Sequence, residues 1–242
     1  MILISGSNGL LGSSLKIFFN TKKISYKTIG RKNCDFNGDI KNIVFVEKTI
    51  KNLCPKIFIN LAALTDVDYC EKKKDLTYKL NTEFPEIVLK NLKKQTDDYY
   101  FIQISTDMVY SGNGPHIEEN AKPINEYSKS KFETDKITLK YNAISLRTNF
   151  FGKSSNKNKL SFTDKIFNSS KNNKKIELFR DVRFSPVSFK TLFKVIRLIS
   201  KKKIYGVYNL GSKSGMTKED FGINFCKSLN LNFNHINPNY LK

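Results

Sequence analysis

The chain opens with Met1-Ile2-Leu3-Ile4-Ser5-Gly6-Ser7-Asn8-Gly9-Leu10-Leu11-Gly12, an apolar run that leads into three glycines. Leu15 and Phe18 then continue an apolar helical face. A strand, a glycine turn and an amphipathic helix in this order are typical of a dinucleotide-binding βαβ unit. Glycine permits a tight turn close to a pyrophosphate, and the helix N-terminus offers free N–H groups to phosphates. We therefore predict a dinucleotide cofactor bound by Gly6, Asn8, Gly9, Leu10, Leu11 and Gly12.

Strand and helix patterns alternate after this unit, which predicts an α/β fold with a mostly parallel sheet. The predicted strands are 25–29, 57–60, 100–104, 143–146, 176–179 and 207–210, and the predicted helices are 40–53, 76–94, 125–140, 161–169, 188–201 and 217–229. We expect a Rossmann-type doubly wound sheet with a small C-terminal substrate-binding lobe. Residues 1–149 would form the NAD(P)-binding domain, and residues 150–242 the lobe, interleaved with the last Rossmann elements. The last dozen residues show no clear element.

The composition limits the classes of partner. The 242 residues are 39% hydrophobic and carry a net charge of +20. No apolar run is long enough to span a bilayer and no signal sequence is evident, so we expect a soluble, cytoplasmic protein without a membrane partner. The lysines are spread over the whole chain without a nucleic-acid-binding motif, which favours a solvated surface or a phosphate-bearing ligand over nucleic acid. The four cysteines and two histidines lack metal-site spacing, so we expect no metal.

The end of the second predicted strand bears on cofactor choice. It reads Ile29-Gly30-Arg31-Lys32, with no carboxylate before Asp35. A carboxylate at this point accepts from the ribose 2′-hydroxyl of NAD, whereas a guanidinium suits the 2′-phosphate of NADP. Arg31 therefore favours NADPH, with NADH as the alternative if Arg31 is only a surface cation.

The strongest catalytic pattern lies between residues 105 and 131. Thr106 ends a predicted strand, and Tyr127 and Lys131 follow at helical spacing, so they lie on one face one turn apart. A lysine ammonium beside a phenol lowers the tyrosine pKa from about 10. Tyr127 could then protonate a carbonyl oxygen while hydride arrives at the carbon, with the Thr106 hydroxyl holding that oxygen. This combination predicts carbonyl reduction.

With these motifs the sequence resembles the extended short-chain dehydrogenase/reductases, and among them the dTDP-4-dehydrorhamnose reductases. The resemblance runs from residue 1 to about residue 225. In chain order the similar patterns are GxxGxxG at 6–12, an Asp beside the adenine at Asp39-Ile40, NAAAYTAVDxAE at 60–71, STDYVFDG at 105–112, PxNxYGxxKxxGE at 123–131 with Glu133, RTSWVYG at 146–152, DQxGxPT at 181–187 and GxYHLxG at 205–211.

The resemblance implies NADPH-dependent reduction of the 4-keto group of a nucleotide-linked 6-deoxysugar, and dimers are frequent in the family, so a homodimer is one expected assembly. The implied catalytic residues are Thr106, Tyr127 and Lys131. The implied further cofactor contacts are Arg31, Asp39, Ile40, Leu61, Ala62, Ala63, Thr65, Tyr127 and Lys131. The implied substrate contacts are Thr65, Thr106, Asp107, Met108, Tyr127, Phe150, Arg183 and Pro186.

Some positions depart from the family pattern and leave alternatives open. Phe150 stands at its tryptophan, and Val182, Phe184 and Val187 replace the glutamine, glycine and threonine of DQxGxPT. The identity of the sugar is therefore open. An epimerase or dehydratase is one alternative, although dehydratases carry an Asp-Glu pair after the threonine where this chain has Asp107-Met108. A non-catalytic cofactor-binding regulatory subunit is another.

Overall fold

A computed structural model describes residues 1–156 and 159–241. The strands are β1 Ile2–Ser5, β2 Tyr26–Gly30, β3 Phe36–Asn37, β4 Ile57–Asn60, β5 Tyr100–Thr106, β6 Ala143–Thr148, β7 Phe150–Phe151, β8 Ile176–Phe179, β9 Arg183–Phe184, β10 Val187–Ser188, β11 Gly206–Leu210, β12 Met216–Thr217 and β13 Ile236–Asn239. The α-helices are α1 Leu10–Thr21, α2 Ile43–Leu53, α3 Val67–Lys72, α4 Lys74–Tyr78, α5 Phe84–Gln95, α6 Glu126–Thr138, α7 Phe162–Lys171, α8 Phe189–Lys202 and α9 Lys218–Ser228.

Seven strands form the central sheet, in the order β11-β6-β5-β4-β1-β2-β3, and every neighbouring pair is parallel. Helices α1 and α8 cover one face, and α2 and α5 cover the other, each over its own apolar cluster. The sheet is therefore doubly wound, which confirms the predicted Rossmann-type fold. Strand order reverses between β1 and β4, where such sheets form a ligand crevice beyond their carboxyl ends.

The C-terminal part of the chain contributes to two bodies. Strand β11 and helix α8 join the central sheet, whereas α7, α9 and three two-stranded sheets (β7 with β10, β8 with β13, β9 with β12) lie outside it. A third apolar cluster holds these outer elements together, with Phe184, Ile166 and Phe221 among its buried residues. These outer elements form the lobe. No helix in the described ranges is both long and apolar enough to cross a membrane.

The structure differs from the sequence prediction in its short elements and in one long helix. Six strands of two to four residues were not predicted, since each pairs across a turn or with a segment distant in sequence: β3, β7, β9, β10, β12 and β13. The short helix α3 was not predicted either. The helix predicted at 76–94 is interrupted by a π-helical turn over Lys79–Glu83. Pro85 gives the physical reason, because it has no N–H for the carbonyl of Asn81 and its ring crowds that carbonyl.

Candidate active site

Strand β5 and helix α6 bring the three predicted catalytic residues together at the carboxyl edge of the sheet. Thr106 is the last residue of β5, and Tyr127 and Lys131 lie in the first turns of α6. A capping box fixes the start of that helix, because the Asn125 side chain accepts from the Ser128 amide at 2.8 Å and the Ser128 hydroxyl accepts from the Asn125 amide at 3.2 Å. The cap therefore sets the position of Tyr127, two residues on.

Burial dominates the electrostatics of Tyr127 and Lys131. Desolvation raises the pKa of Tyr127 to about 12, partly opposed by a hydrogen bond with Thr106. Desolvation also lowers the pKa of Lys131 to about 8, and its ammonium donates to the carbonyl of Ile104 at 2.7 Å. The expectation that Lys131 lowers the pKa of Tyr127 is therefore wrong for this state of the protein. Tyr127 is instead a firmly protonated acid at neutral pH.

The hydroxyl of Thr106 is oriented by its own chain. It accepts a hydrogen bond from the Met108 amide at 3.1 Å, at the start of a 3₁₀ turn over Asp107–Val109. This backbone contact does not use the hydroxyl proton, and the same hydroxyl also forms the hydrogen bond with Tyr127. Asp107 next to it accepts from the Asn149 side chain at 3.3 Å, and burial raises the pKa of this carboxyl above its usual range. Met108 is 40% exposed.

A buried polar row links the glycine loop to Lys131, and the sequence analysis missed it. Ser5 of β1 donates to Asn60 of β4 at 2.6 Å, and Asn60 donates to Gln103 of β5 at 2.8 Å. Gln103 and Lys131 then both donate to the carbonyl of Ile104, at 3.2 and 2.7 Å. The three side chains occupy one register across neighbouring strands. A polar residue near the end of three successive apolar strands was the signal that could have revealed the row.

The π-helical turn over Lys79–Glu83 also supports helix α6. The buried Asn81 side chain accepts from the Leu64 amide at 2.8 Å and donates to the Leu64 carbonyl and to Ser130. The Asn81 carbonyl accepts from the Thr134 hydroxyl at 2.5 Å. The turn thus connects the loop after β4 to α6. It was not predicted as part of the site.

A buried ion pair fixes the far half of α6. Asp135 accepts from the Nε of Arg147 at 2.8 Å and from Ser145 at 2.5 Å, and both charged side chains are at most 4% exposed. Glu133, which the motif comparison singled out, lies on the exposed side and pairs with Lys136. Asp135 is therefore the carboxylate that anchors the helix.

The glycine loop packs closely against the loop after β4 and against its own helix. Gly6 has φ of +69°, and a Cβ there would lie 2.5 Å from the Ala62 amide nitrogen. A Cβ at Gly12 would lie 2.3 Å from the Gly6 carbonyl oxygen. The N-cap residue Gly9 places no side chain over the first turn of α1, and that turn has no acidic residue. Its N–H groups, those of Leu10 and Leu11 among them, fit a phosphate.

The loop after β2 is hydrogen-bonded to the glycine loop. Asn8 donates to the carbonyl of Lys32 at 2.7 Å, and Asn8 accepts from Lys16 at 3.0 Å. Asp35 accepts from the amide and hydroxyl of Thr28 at 2.9 and 2.7 Å. This carboxylate is therefore engaged by β2, the strand that precedes it. Arg31 is exposed at the same edge of the sheet.

The remaining predicted residues occupy three places. Asp39 and Ile40 follow β3, where Asp39 pairs with Lys41 at 3.3 Å. Leu61, Ala62, Ala63 and Thr65 form the loop after β4, in which Thr65 is exposed. Phe150 and Pro186 lie by the β7–β10 pair, and the exposed Arg183 on β9 donates to the Gly215 carbonyl at 2.8 Å.

Comparisons with known proteins agree with this architecture. The dTDP-4-dehydrorhamnose reductase of Escherichia coli K12 is 28% identical over 199 residues, which are 77% of this chain and 64% of that relative. The chain thus spans less than two thirds of the length of that relative. The enzyme of the same name from Aggregatibacter actinomycetemcomitans is 27% identical over 92% of this chain and 76% of its own length. A crystal structure of dTDP-4-dehydrorhamnose reductase from Bacillus anthracis in complex with NADP superposes with a TM-score of 0.86 at 26% identity, covering 99% of this chain and 84% of that chain.

The family model described as the RmlD substrate binding domain matches residues 1–241. This match confirms the resemblance that the motifs indicated. The chain therefore belongs to the RmlD substrate binding domain family of extended short-chain dehydrogenase/reductase-like proteins.

Proposed function

We propose that the chain reduces the 4-keto group of a nucleotide-diphospho-6-deoxysugar with NADPH. The observation that carries this proposal is the meeting of Thr106, Tyr127 and Lys131 at the carboxyl edge of the sheet, the edge at which the glycine loop also lies. The relatives named as dTDP-4-dehydrorhamnose reductases support the same reaction class.

Each of the three residues has a distinct task in this reaction. NADPH supplies the hydride that reaches C4. Thr106 donates its hydroxyl proton in a hydrogen bond to the C4 oxygen and so orients it. Tyr127 transfers its phenolic proton to that oxygen, and a pKa of about 12 keeps this acid protonated until charge develops on the oxygen. Lys131 would hold the nicotinamide ribose when the cofactor is bound and would stabilise the phenolate that remains.

The same residues that fit a dinucleotide favour NADPH over NADH. The first turn of α1 would hold the diphosphate, because its N–H groups carry no side-chain cap. Arg31 and Lys32 would hold the 2′-phosphate, whereas Asp35, the first carboxylate after β2, is engaged by Thr28. Arg31→Met is expected to weaken binding of NADPH and to leave NADH binding unchanged, as measured by nicotinamide fluorescence.

The test of the reaction is a turnover assay. The purified chain is mixed with NADPH and a dTDP-4-keto-6-deoxyhexose generated in situ, and the nicotinamide absorbance is followed. We expect sugar-dependent loss of absorbance, reduced by about 10²- to 10⁴-fold in Tyr127→Phe, the usual contribution of a general acid. Tyr78→Phe is the matched control, since Tyr78 is 50% exposed on α4. A flat trace with intact NADPH binding would refute the reductase assignment for that sugar.

The position after Asp107 supports reduction over dehydration. Met108 stands there, and its thioether carries no proton for acid–base chemistry.

A further inference from the structure

Lys218 connects the lobe to the reaction centre. It is the first residue of α9, and its amide donates to the Val182 carbonyl at 3.1 Å. Its ammonium lies 3.4 Å from the ring centroid of Phe184 and 5.2 Å from that of Phe162. The carboxylate whose charge raises the pKa of this ammonium is that of Asp107, the residue after Thr106.

The position of the Lys218 ammonium costs folding free energy, so a role in folding alone does not account for it. Burial lowers the pKa of Lys218 to about 8, against the opposing effect of Asp107. A cation at a helix N-terminus also faces the positive end of the helix dipole. Within residues 1–156 and 159–241 the ammonium has its ring contacts but no hydrogen bond and no close ion pair. Its three donors are therefore available to a ligand oxygen.

Asp107 supplies the complementary acceptor near the reacting oxygen. Its charge contributes to the raised pKa of Tyr127, which places it in the electrostatic range of the phenol. A hydroxyl group donates one hydrogen bond and accepts others, so an ammonium and a carboxylate can bind it together. A diphosphate fits less well here, because the Asp107 carboxylate would repel it.

We propose that Lys218 and Asp107 together bind one hydroxyl group of the hexose, Lys218 donating to its oxygen and Asp107 accepting its proton. The inference rests on the proposed function above and adds Lys218 as a specificity-determining residue. On a 6-deoxyhexose the candidates are the C2 and C3 hydroxyls, since C1 bears the diphosphate and C4 is the reacting carbon.

The test compares binding of dTDP-rhamnose with binding of dTDP by calorimetry, in the presence of NADP. Lys218→Met removes the ammonium and keeps an unbranched apolar stem on Phe184. We expect its affinity for dTDP-rhamnose to fall by about ten- to a hundred-fold, as for a lost hydrogen bond to a charged group. Affinities for dTDP and NADP should stay unchanged. Lys227→Met is the matched control, because Lys227 lies over a ring (Phe233, 5.4 Å) in the last turn of the same helix.

Deoxygenated ligands identify the group that is bound. One of the two analogues, the 2-deoxy or the 3-deoxy sugar nucleotide, should bind wild type and Lys218→Met with the same affinity. The proposal is overturned if wild type and Lys218→Met still differ in affinity for both analogues. It is also overturned if the substitution weakens the binding of dTDP as much as that of dTDP-rhamnose. Equal binding of dTDP-rhamnose to wild type and variant also overturns it, and leaves the proposed function intact if wild type turns over. A wild type that binds dTDP-rhamnose no better than dTDP has no sugar site, and then both proposals fail.

Discussion

Replacing Arg147 by methionine should destabilise the protein strongly and through one identifiable cause. The guanidinium donates to Asp135 at 2.8 Å, to the Glu118 carbonyl at 2.6 Å and to the Tyr110 hydroxyl at 2.9 Å. Methionine fills the space of the aliphatic stem of arginine and ends where the guanidinium begins. The variant therefore leaves a buried carboxylate without its cation, a change that typically costs about 3–5 kcal/mol.

The assay is equilibrium urea unfolding followed by circular dichroism. Since the total stability of a domain is about 5–15 kcal/mol, the expected loss is a large fraction of it. Arg180→Met is the matched control, because Arg180 also binds a carboxylate with two hydrogen bonds, to Glu219, but its side chain is 52% exposed. This control should shift the urea midpoint far less.

A double variant separates the loss of charge pairing from the loss of packing. Asp135→Leu combined with Arg147→Met removes both charges, so it should be less destabilised than the sum of the two single variants. Strict additivity, or a cost below about 1 kcal/mol for Arg147→Met alone, would refute the reasoning that the pair is held together as a desolvated unit.

Two further predictions concern the glycine loop and the lobe. Gly12→Ala should cost roughly 1–3 kcal/mol by overpacking, because its Cβ would meet the Gly6 carbonyl oxygen at 2.3 Å, whereas Gly9→Ala meets that oxygen at only 3.2 Å and should cost less. Urea midpoints compare the two, and equal losses would contradict the steric argument. Lys218→Met should be more stable than wild type at neutral pH, because the folded state lowers the pKa of this lysine from 10.5 to about 8. Between about pH 8 and pH 10.5 the unfolded chain binds more protons than the folded chain, so the free energy of unfolding of the wild type increases with pH. The difference in stability between the variant and the wild type should therefore shrink over this range. Urea unfolding from pH 7 to 10.5 measures this difference. If Lys218→Met becomes more stable relative to the wild type as the pH rises, the predicted direction is wrong.

The fold, and the grouping of Thr106, Tyr127 and Lys131 at one edge of the sheet, could be predicted because their signals are local. The glycine spacing after β1, the alternation of strands and helices, and the spacing from Tyr127 to Lys131 each lie within one short segment. The direction of the Tyr127 pKa could not be predicted in this way. It depends on burial by several elements, and that burial outweighs the attraction between neighbours in sequence.

The supporting contacts were missed because they join distant segments. Lys218 is one of 42 lysines and arginines, and only the folded lobe brings it to face Asp107. Asn81 reads as an ordinary helix residue until Pro85 is recognised as the cause of a π-helical turn. Asp135 and not Glu133 is buried against Arg147, because two residues along a helix differ by more than half a turn.

The turn at Pro85 also bears on how this sequence can change during evolution. Pro85 removes one helical hydrogen bond, and the carbonyl of Asn81 that it frees is taken by the Thr134 hydroxyl. Loss of Thr134 alone would leave the carbonyl that Pro85 frees without this donor. Loss of Pro85 alone would restore a helical donor to the carbonyl that Thr134 binds. In an alignment of homologues, proline at position 85 and a hydroxyl residue at position 134 should therefore be inherited together and be lost together.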